Sequence, residues 1–234
     1  MNLDKPFIIC EISGNHNGCL GRAIAMIKEA KKAGADACKI QTYEPYELLD
    51  PANNHIYERC KTPRDWYPAL FDMAHRLAIP LFSSVFSPEG VHFLEKFKCP
   101  IYKIASPEST RLPINTYLAI SRAVRAANKP LMISSGRKDL GMAIGLGPEY
   151  LLFCVAGYPA TVTDDDLYFF SGIRECPKEI GFSDHTNSML APMAMIGAGA
   201  KIVEKHFKLD DDCEDAAFAF NPEQFATLCA VAHR

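Results

Sequence analysis

Residues 199–209 read GAKIVEKHFKL. An apolar run of Ala200, Ile202 and Val203 leads straight into Glu204, Lys205 and His206. Side chains alternate across a strand, so Glu204 and His206 share one face and Lys205 takes the other. Ionisable groups at a strand end are costly unless they have partners or a task. The same construction recurs upstream. FIICEIS (7–13) carries Glu11, ADACKIQ (35–41) carries Lys39 and Gln41, and LFSSVF (81–86) carries Ser83 and Ser84. IYKIAS (101–106) holds Lys103 and Ser106, LMISS (131–135) holds Ser134 and Ser135, and YLLFCV (150–155) follows. EIGFSD (179–184) ends in Ser183 and Asp184, with His185 next.

Amphipathic stretches separate these runs. Leu20, Ile24, Ile27 and Ala30 recur at helical spacing, and Gly34 suits the end of that helix. TPRD (62–65) reads as a helix start with Thr62 as cap and Pro63 in the first turn, after a long loop. SPEG opens another helix at Ser87, with Val91, Leu94 and Phe97 on its apolar side, and NPEQ caps a last one at Asn221. Segment 137–148 contains three glycines and holds at most a short helix. Eight strand–helix units at a repeat of roughly 25 to 30 residues predict a closed (β/α)8 TIM barrel, one α/β domain over residues 1–234. An open doubly wound sheet competes, but no GxGxxG follows the first strand.

Composition narrows the function classes. With a charged fraction of 23% and a net charge of -3, the chain has no basic footprint for nucleic acid. No apolar stretch has the length of a membrane span, and MNLDKPFIICEIS lacks a signal-peptide pattern. The nine cysteines are odd in number and scattered without a CxxC, which predicts reduced, buried thiols and a cytoplasmic location.

In such a barrel, chemistry sits at the C-terminal ends of the strands. His185 and His206 lie on adjacent strands, so two imidazoles are placed to share a divalent metal. Glu204 and Glu11 are candidate third ligands or acid/base groups. Lys39, Lys103 and several serine hydroxyls make a nest for a phosphate or carboxylate. Together they point to an anionic, phosphorylated substrate. His55, His75, His92 and His233 fall on loops or helices and read as surface residues.

The ordered set EISGNHNG, GADACKIQTY, YKIAS, ISSG, YPA, FSDHT and VEKHF resembles the sialic acid synthase family, over residues 7 to about 228. YERCKTPRDWYPALF and the NHNG variant lean toward its pseudaminic and legionaminic acid synthases. The resemblance implies condensation of phosphoenolpyruvate with an N-acetylated amino sugar, either N-acetylmannosamine or a 2,4-diacetamido-trideoxyhexose. The product would be a nine-carbon 2-keto acid, with phosphate released. It further implies a manganese ion, or magnesium or cobalt, on His185 and His206. Lys39, Ser84, Lys103, Ser106, Ser134 and Ser183 would hold phosphoenolpyruvate. Gln41, Asn53, Glu108, Tyr158, Glu204 and Asp215 would face the sugar, and Glu11 would handle a proton. Ser84 rather than Ser83, and Asn53 rather than Asn54, are choices between neighbours.

Departures from the pattern matter. The family carries an antifreeze-like domain after the barrel, whose arginine reaches the partner's sugar in a swapped dimer; residues 1–234 contain none. The family's dimers imply a homodimer as one candidate partner, and such a domain supplied in trans is another. Ala156 stands where a phosphate-binding polar residue is usual, and Arg137 where an apolar one is, so Arg137 is a candidate replacement for that polar group. Two readings compete with the synthase. One is a related phosphoenolpyruvate-condensing synthase or a Schiff-base aldolase using Lys103 or Lys39. The other is a non-catalytic truncated barrel that binds a sugar or phosphoenolpyruvate.

Overall fold

The strands close on themselves. The computed structural model describes residues 1, 3–173, 176 and 178–234, with Glu108 and Ser109 described by their backbone alone. Its strands are β1 (Phe7–Glu11), β2 (Ala37–Thr42), β3 (Leu81–Val85), β4 (Tyr102–Ile104), β5 (Leu131–Ser135), β6 (Tyr150–Cys154), β7 (Glu179–Asp184) and β8 (Ile202–His206). They form one closed barrel in sequence order. All pairs are parallel, and β8 returns to β1 with Glu11 opposite His206. Both faces of such a sheet are covered, which is why the strands are near-continuous apolar runs.

The helices lie outside. They are α1 (Leu20–Lys32), α2 (Asn54–Cys60), α3 (Tyr67–Arg76), α4 (Pro88–Leu94), α5 (Pro107–Thr110), α6 (Ile114–Ala126), α7 (Leu140–Gly145), α8 (Asp164–Ile173), α9 (Leu190–Gly197) and α10 (Pro222–Ala232). Their ends follow local chemistry. Gly34, at φ +93°, ends α1, with its N–H on the Lys31 carbonyl and the Ala35 N–H on the Ala30 carbonyl. That is the Schellman arrangement. Ser87 Oγ accepts from the Gly90 N–H at 3.2 Å and caps α4. Asn221 and Gln224 form a reciprocal capping box on α10. The glycine-rich α7 is six residues long.

Three expectations need correction. Thr62 does not cap a helix. Pro63 takes an extended conformation (φ -58°, ψ 137°), Arg64–Trp66 form a 3-10 turn, and α3 starts at Tyr67 with Pro68 in its first turn. A proline ring fixes φ but leaves ψ free, so Pro63 can prolong an extended chain as readily as open a helix. The apolar face of α1 is also rotated: Ala23, Met26, Ile27 and Ala30 are buried, while Leu20 and Ile24 are only partly so. The long connection after β2 is not plain loop, since it contains α2 and two 3-10 turns, Pro45–Leu48 and Pro51–Asn53.

Outward-facing strand residues and inward-facing helix residues build the core between the layers. Tyr67 anchors one part of it, edge-on to Phe93 at 4.9 Å, with Phe71 and Phe97 stacked alongside. No described helix is long and apolar enough to cross a membrane.

Candidate active site

A cavity of about 780 Å³ opens over the C-terminal strand ends. Its floor comes from residues that alternate inward. Lys39 and Gln41 rise from β2, Ser84 from β3, Lys103 from β4 and Ser134 from β5, with Ser183 on β7 and Glu204 and His206 on β8. Ser106, Tyr158, His185, Asn53 and Asp215 join from the loops. Ser84 faces the cavity, while Ser83 turns back onto Thr42 at 2.6 Å. The side chain of Glu108 lies outside the described residues.

Two ammonium–carboxylate pairs occupy the floor. Lys103 Nζ meets Glu204 Oε1 at 2.5 Å, and Ser183 Oγ donates to that oxygen at 3.0 Å. Lys39 Nζ pairs with Glu11, lies 3.6 Å from Glu204 Oε2 and donates to Ser84 Oγ at 2.8 Å. Burial opposes the charge on Lys39, but Glu11 and Glu204 outweigh it and hold its pKa above the usual lysine value. Burial, with repulsion from Lys39, pulls Lys103 below that value despite Glu204. Burial would raise Glu204, yet Lys103 and Lys39 dominate and keep it ionised. Glu11 is fully buried behind Lys39 and is held by Gln41 Nε2 at 3.1 Å and the Ser13 N–H at 3.0 Å. Of Glu11 and Glu204, the one that borders the cavity is Glu204.

The imidazoles of His185 and His206 stand 5.3 Å apart, centroid to centroid. Burial lowers the pKa of His185, and the neighbouring His206 and Lys103 add to it, so its ring is neutral. Its Nδ1 is buried without a hydrogen-bond partner. His206 Nδ1 lies 2.7 Å from Asp215 Oδ2, which leaves Nε2 toward the cavity. Asp215 itself stays ionised because the His206 interaction outweighs burial. Phe218 and Tyr158 pack on the two rings at 4.9 Å and 4.6 Å. Among the described residues, no group of three or more His, Cys, Asp or Glu side chains is arranged to hold a metal. The protein offers two nitrogen donors.

The remaining expected positions divide. Asn53 reaches the rim of the cavity, but its amide donates to Asp50 Oδ2 at 2.8 Å. Arg137 is not on the cavity wall. It pairs with Asp166 at 2.7 Å and lies over the Phe169 ring, so it does not stand in for a polar side chain at Ala156. Sequence reasoning missed Tyr43 and Phe86 on the wall. Both continue an inward alternation, Lys39–Gln41–Tyr43 and Ser84–Phe86, and that period was the available signal. It also missed Arg111, which lines the cavity from a left-handed backbone position (φ 53°) and carries no such signal.

Comparison with known proteins agrees with this architecture. Residues 26–234 match the model of the NeuB family. A pseudaminic acid synthase of Campylobacter jejuni is 34% identical over 256 residues, covering 97% of this chain and 73% of its own. An N,N'-diacetyllegionaminic acid synthase of Legionella pneumophila is 31% identical, covering 95% and 70%. The crystal structure of an N-acetylneuraminic acid (sialic acid) synthetase from Leptospira borgpetersenii superposes with a TM-score of 0.89 at 25% identity, covering 100% and 84%. With its barrel, its strand-end site and a family match over most of its length, the chain belongs to the NeuB family.

Proposed function

We propose that this protein condenses phosphoenolpyruvate with an open-chain N-acylated amino sugar, giving a nine-carbon 2-keto acid and phosphate. The observation that carries this reading is a pair of buried hydroxyls without partners, Ser106 and Ser134, in the same cavity as Lys103 and Lys39. A buried polar group without a partner is costly, and these two face the cavity, where a ligand can supply one. Hydroxyls and ammoniums together suit a phosphorylated carboxylate. Ser84 and Ser183 complete the nest, each already bonded to a charged floor residue. Gln41, Tyr158, Asp215 and Asn53 line the same cavity, and there they would face the sugar.

The residues present fit a divalent ion, manganese first, with magnesium and cobalt as alternatives. His185 is neutral with a free Nδ1, and a carboxylate fixes the tautomer of His206, as metal-bound imidazoles require. His185 and His206 would hold the ion, with substrate or water oxygens as further ligands. When bound, it supplies Lewis-acid polarisation of the sugar's aldehyde oxygen. Lys39, Lys103 and the serines hold the enol ester so that its methylene carbon faces the aldehyde carbon. As the new C–C bond forms, the aldehyde oxygen becomes an alkoxide that takes a proton from solvent, and a cation is left at the enol carbon, which water captures. Glu204, an ionised carboxylate at the cavity surface, accepts the water's proton. The tetrahedral product then expels phosphate by C–O cleavage as its new hydroxyl gives its proton to the departing phosphate and becomes the keto oxygen. Glu11 holds Lys39 in place from behind.

The test is phosphate release by the purified protein with manganese, phosphoenolpyruvate and a panel including N-acetylmannosamine and 2,4-diacetamido-trideoxyhexoses. Release that depends on one sugar is expected. No release with any sugar, with or without an antifreeze-like domain added in trans, overturns the reading. Borohydride trapping of substrate on Lys103 would favour a Schiff-base aldolase instead.

A further inference from the structure

Asp184 and Lys205 lie on the rear of the barrel wall, between the strands and the outer helices. Neither is exposed at all. They are register partners on β7 and β8, and Lys205 Nζ meets Asp184 Oδ2 at 2.8 Å. Each is flanked by cavity-facing residues: Asp184 by Ser183 and His185, Lys205 by Glu204 and His206. The β7–β8 ladder ends at this pair, so His185 sits one residue beyond it. Strand pairing alone does not place the His185 ring.

The ion pair holds that segment instead. Asp184 Oδ1 accepts from the Thr186 N–H at 2.8 Å, and Lys205 Nζ donates to the Thr186 carbonyl. The backbone on both sides of His185 is thus tied to one buried pair. The His185 carbonyl is held in turn by the Ala160 N–H at 2.8 Å. On the β8 side, Lys205 lies 4.3 Å from the centroid of Phe220, whose N–H donates to the His206 carbonyl at 2.8 Å. A buried ion pair yields little net stability over an apolar pair of similar volume, so stability is a weak reason for this one. Its contacts converge on the segments that carry the two imidazoles.

We infer that Asp184 and Lys205 are positioning residues that set the spacing of His185 and His206 from behind the barrel wall. The inference rests on the reading of those imidazoles as a metal-holding pair. The test compares wild type with Asp184→Asn/Lys205→Met, which removes both charges and keeps the volumes. The measurements are thermal unfolding, Mn2+ affinity by electron paramagnetic resonance with the metal alone, and phosphate-release kinetics.

The expected result is a folded double variant with near wild-type Tm, Mn2+ affinity about tenfold weaker, and kcat reduced more than the KM for phosphoenolpyruvate. A folded variant with Mn2+ affinity and kcat within about twofold of wild type overturns the inference. If the double variant fails to fold, Asp184→Asn alone is read in the same way, because the carboxamide keeps the side-chain volume and an acceptor oxygen for the Thr186 N–H while weakening the pull on Lys205. If wild type binds no Mn2+, the metal reading falls by itself. The clamp is then judged by the crystal structure of the variant, where an unshifted His185 relative to His206 overturns it.

Discussion

Glu204 is where residue chemistry concentrates. It accepts from Lys103 and Ser183, lies 3.6 Å from Lys39, and borders the cavity. Glu204→Gln keeps the shape and removes the proton acceptor, so kcat for phosphate release should fall by roughly 100-fold or more in the folded variant, and Tm should fall as well, because Lys103 and Lys39 lose a buried carboxylate partner. His16 gives a different prediction. It is fully buried, its Nδ1 accepts from the Gly18 N–H, and burial lowers its pKa from 6.5 to about 4. The folded protein then resists a proton that the unfolded chain accepts below pH 6.5. Its contribution is complete above pH 6.5 and is lost as pH falls from 6.5 toward 4. The loss is on the order of 3 kcal/mol. Urea titrations at pH 7 and pH 4 should show His16→Gln losing less stability than wild type across that interval by about this amount. The inward residues were legible because alternation puts Lys39 with Gln41 and Glu204 with His206. The burial of Glu11 behind Lys39 was not, because it depends on how two long side chains from neighbouring strands pass each other.

At the scale of elements, β7 depends on having no side chain at Gly181. A Cβ there would lie 2.5 Å from Leu152 Cδ2 and 2.7 Å from Ile202 Cβ, and would strike the Ile202 carbonyl oxygen. Gly181→Ala should therefore lower stability by about 1–3 kcal/mol or more, read as a lower urea midpoint. The capping box of α10 predicts a smaller effect. Asn221→Ala should cost about 1 kcal/mol by the same measurement. Helix ends with side-chain or glycine signals, such as Gly34, Ser87 and Asn221, were readable in sequence. The start of α3 was misread because a Thr-Pro pair looks like a cap, yet Pro63 itself is extended. The connection containing α2 gave little warning, since no α2 residue is fully buried and an apolar period is correspondingly weak.

Across the whole molecule, the cavity collects side chains from strands and loops throughout the chain. Such a site forms only when the barrel closes, so a ligand held by β7 and β8 should stabilise the folded state as a unit. At a hundredfold excess over its Kd, Mn2+ should add about 2.7 kcal/mol, a Tm rise of roughly 5 to 10 °C. Thermal scans with Mn2+ and with EDTA measure it, and His206→Ala should abolish the difference. The repeat of apolar strand and amphipathic helix determined a parallel α/β architecture and which residues stand at the strand ends, because both follow from local period and chain order. The missing GxGxxG favoured a barrel over an open sheet, and closure itself is seen only in the tertiary structure. Only tertiary structure decided who pairs with whom. It placed Arg137 on Asp166 rather than in the cavity, set Asp215 against His206, and put Asp184 and Lys205 behind the imidazoles. Those pairings join residues on different elements, and their distances depend on barrel closure and side-chain packing, which no local pattern encodes.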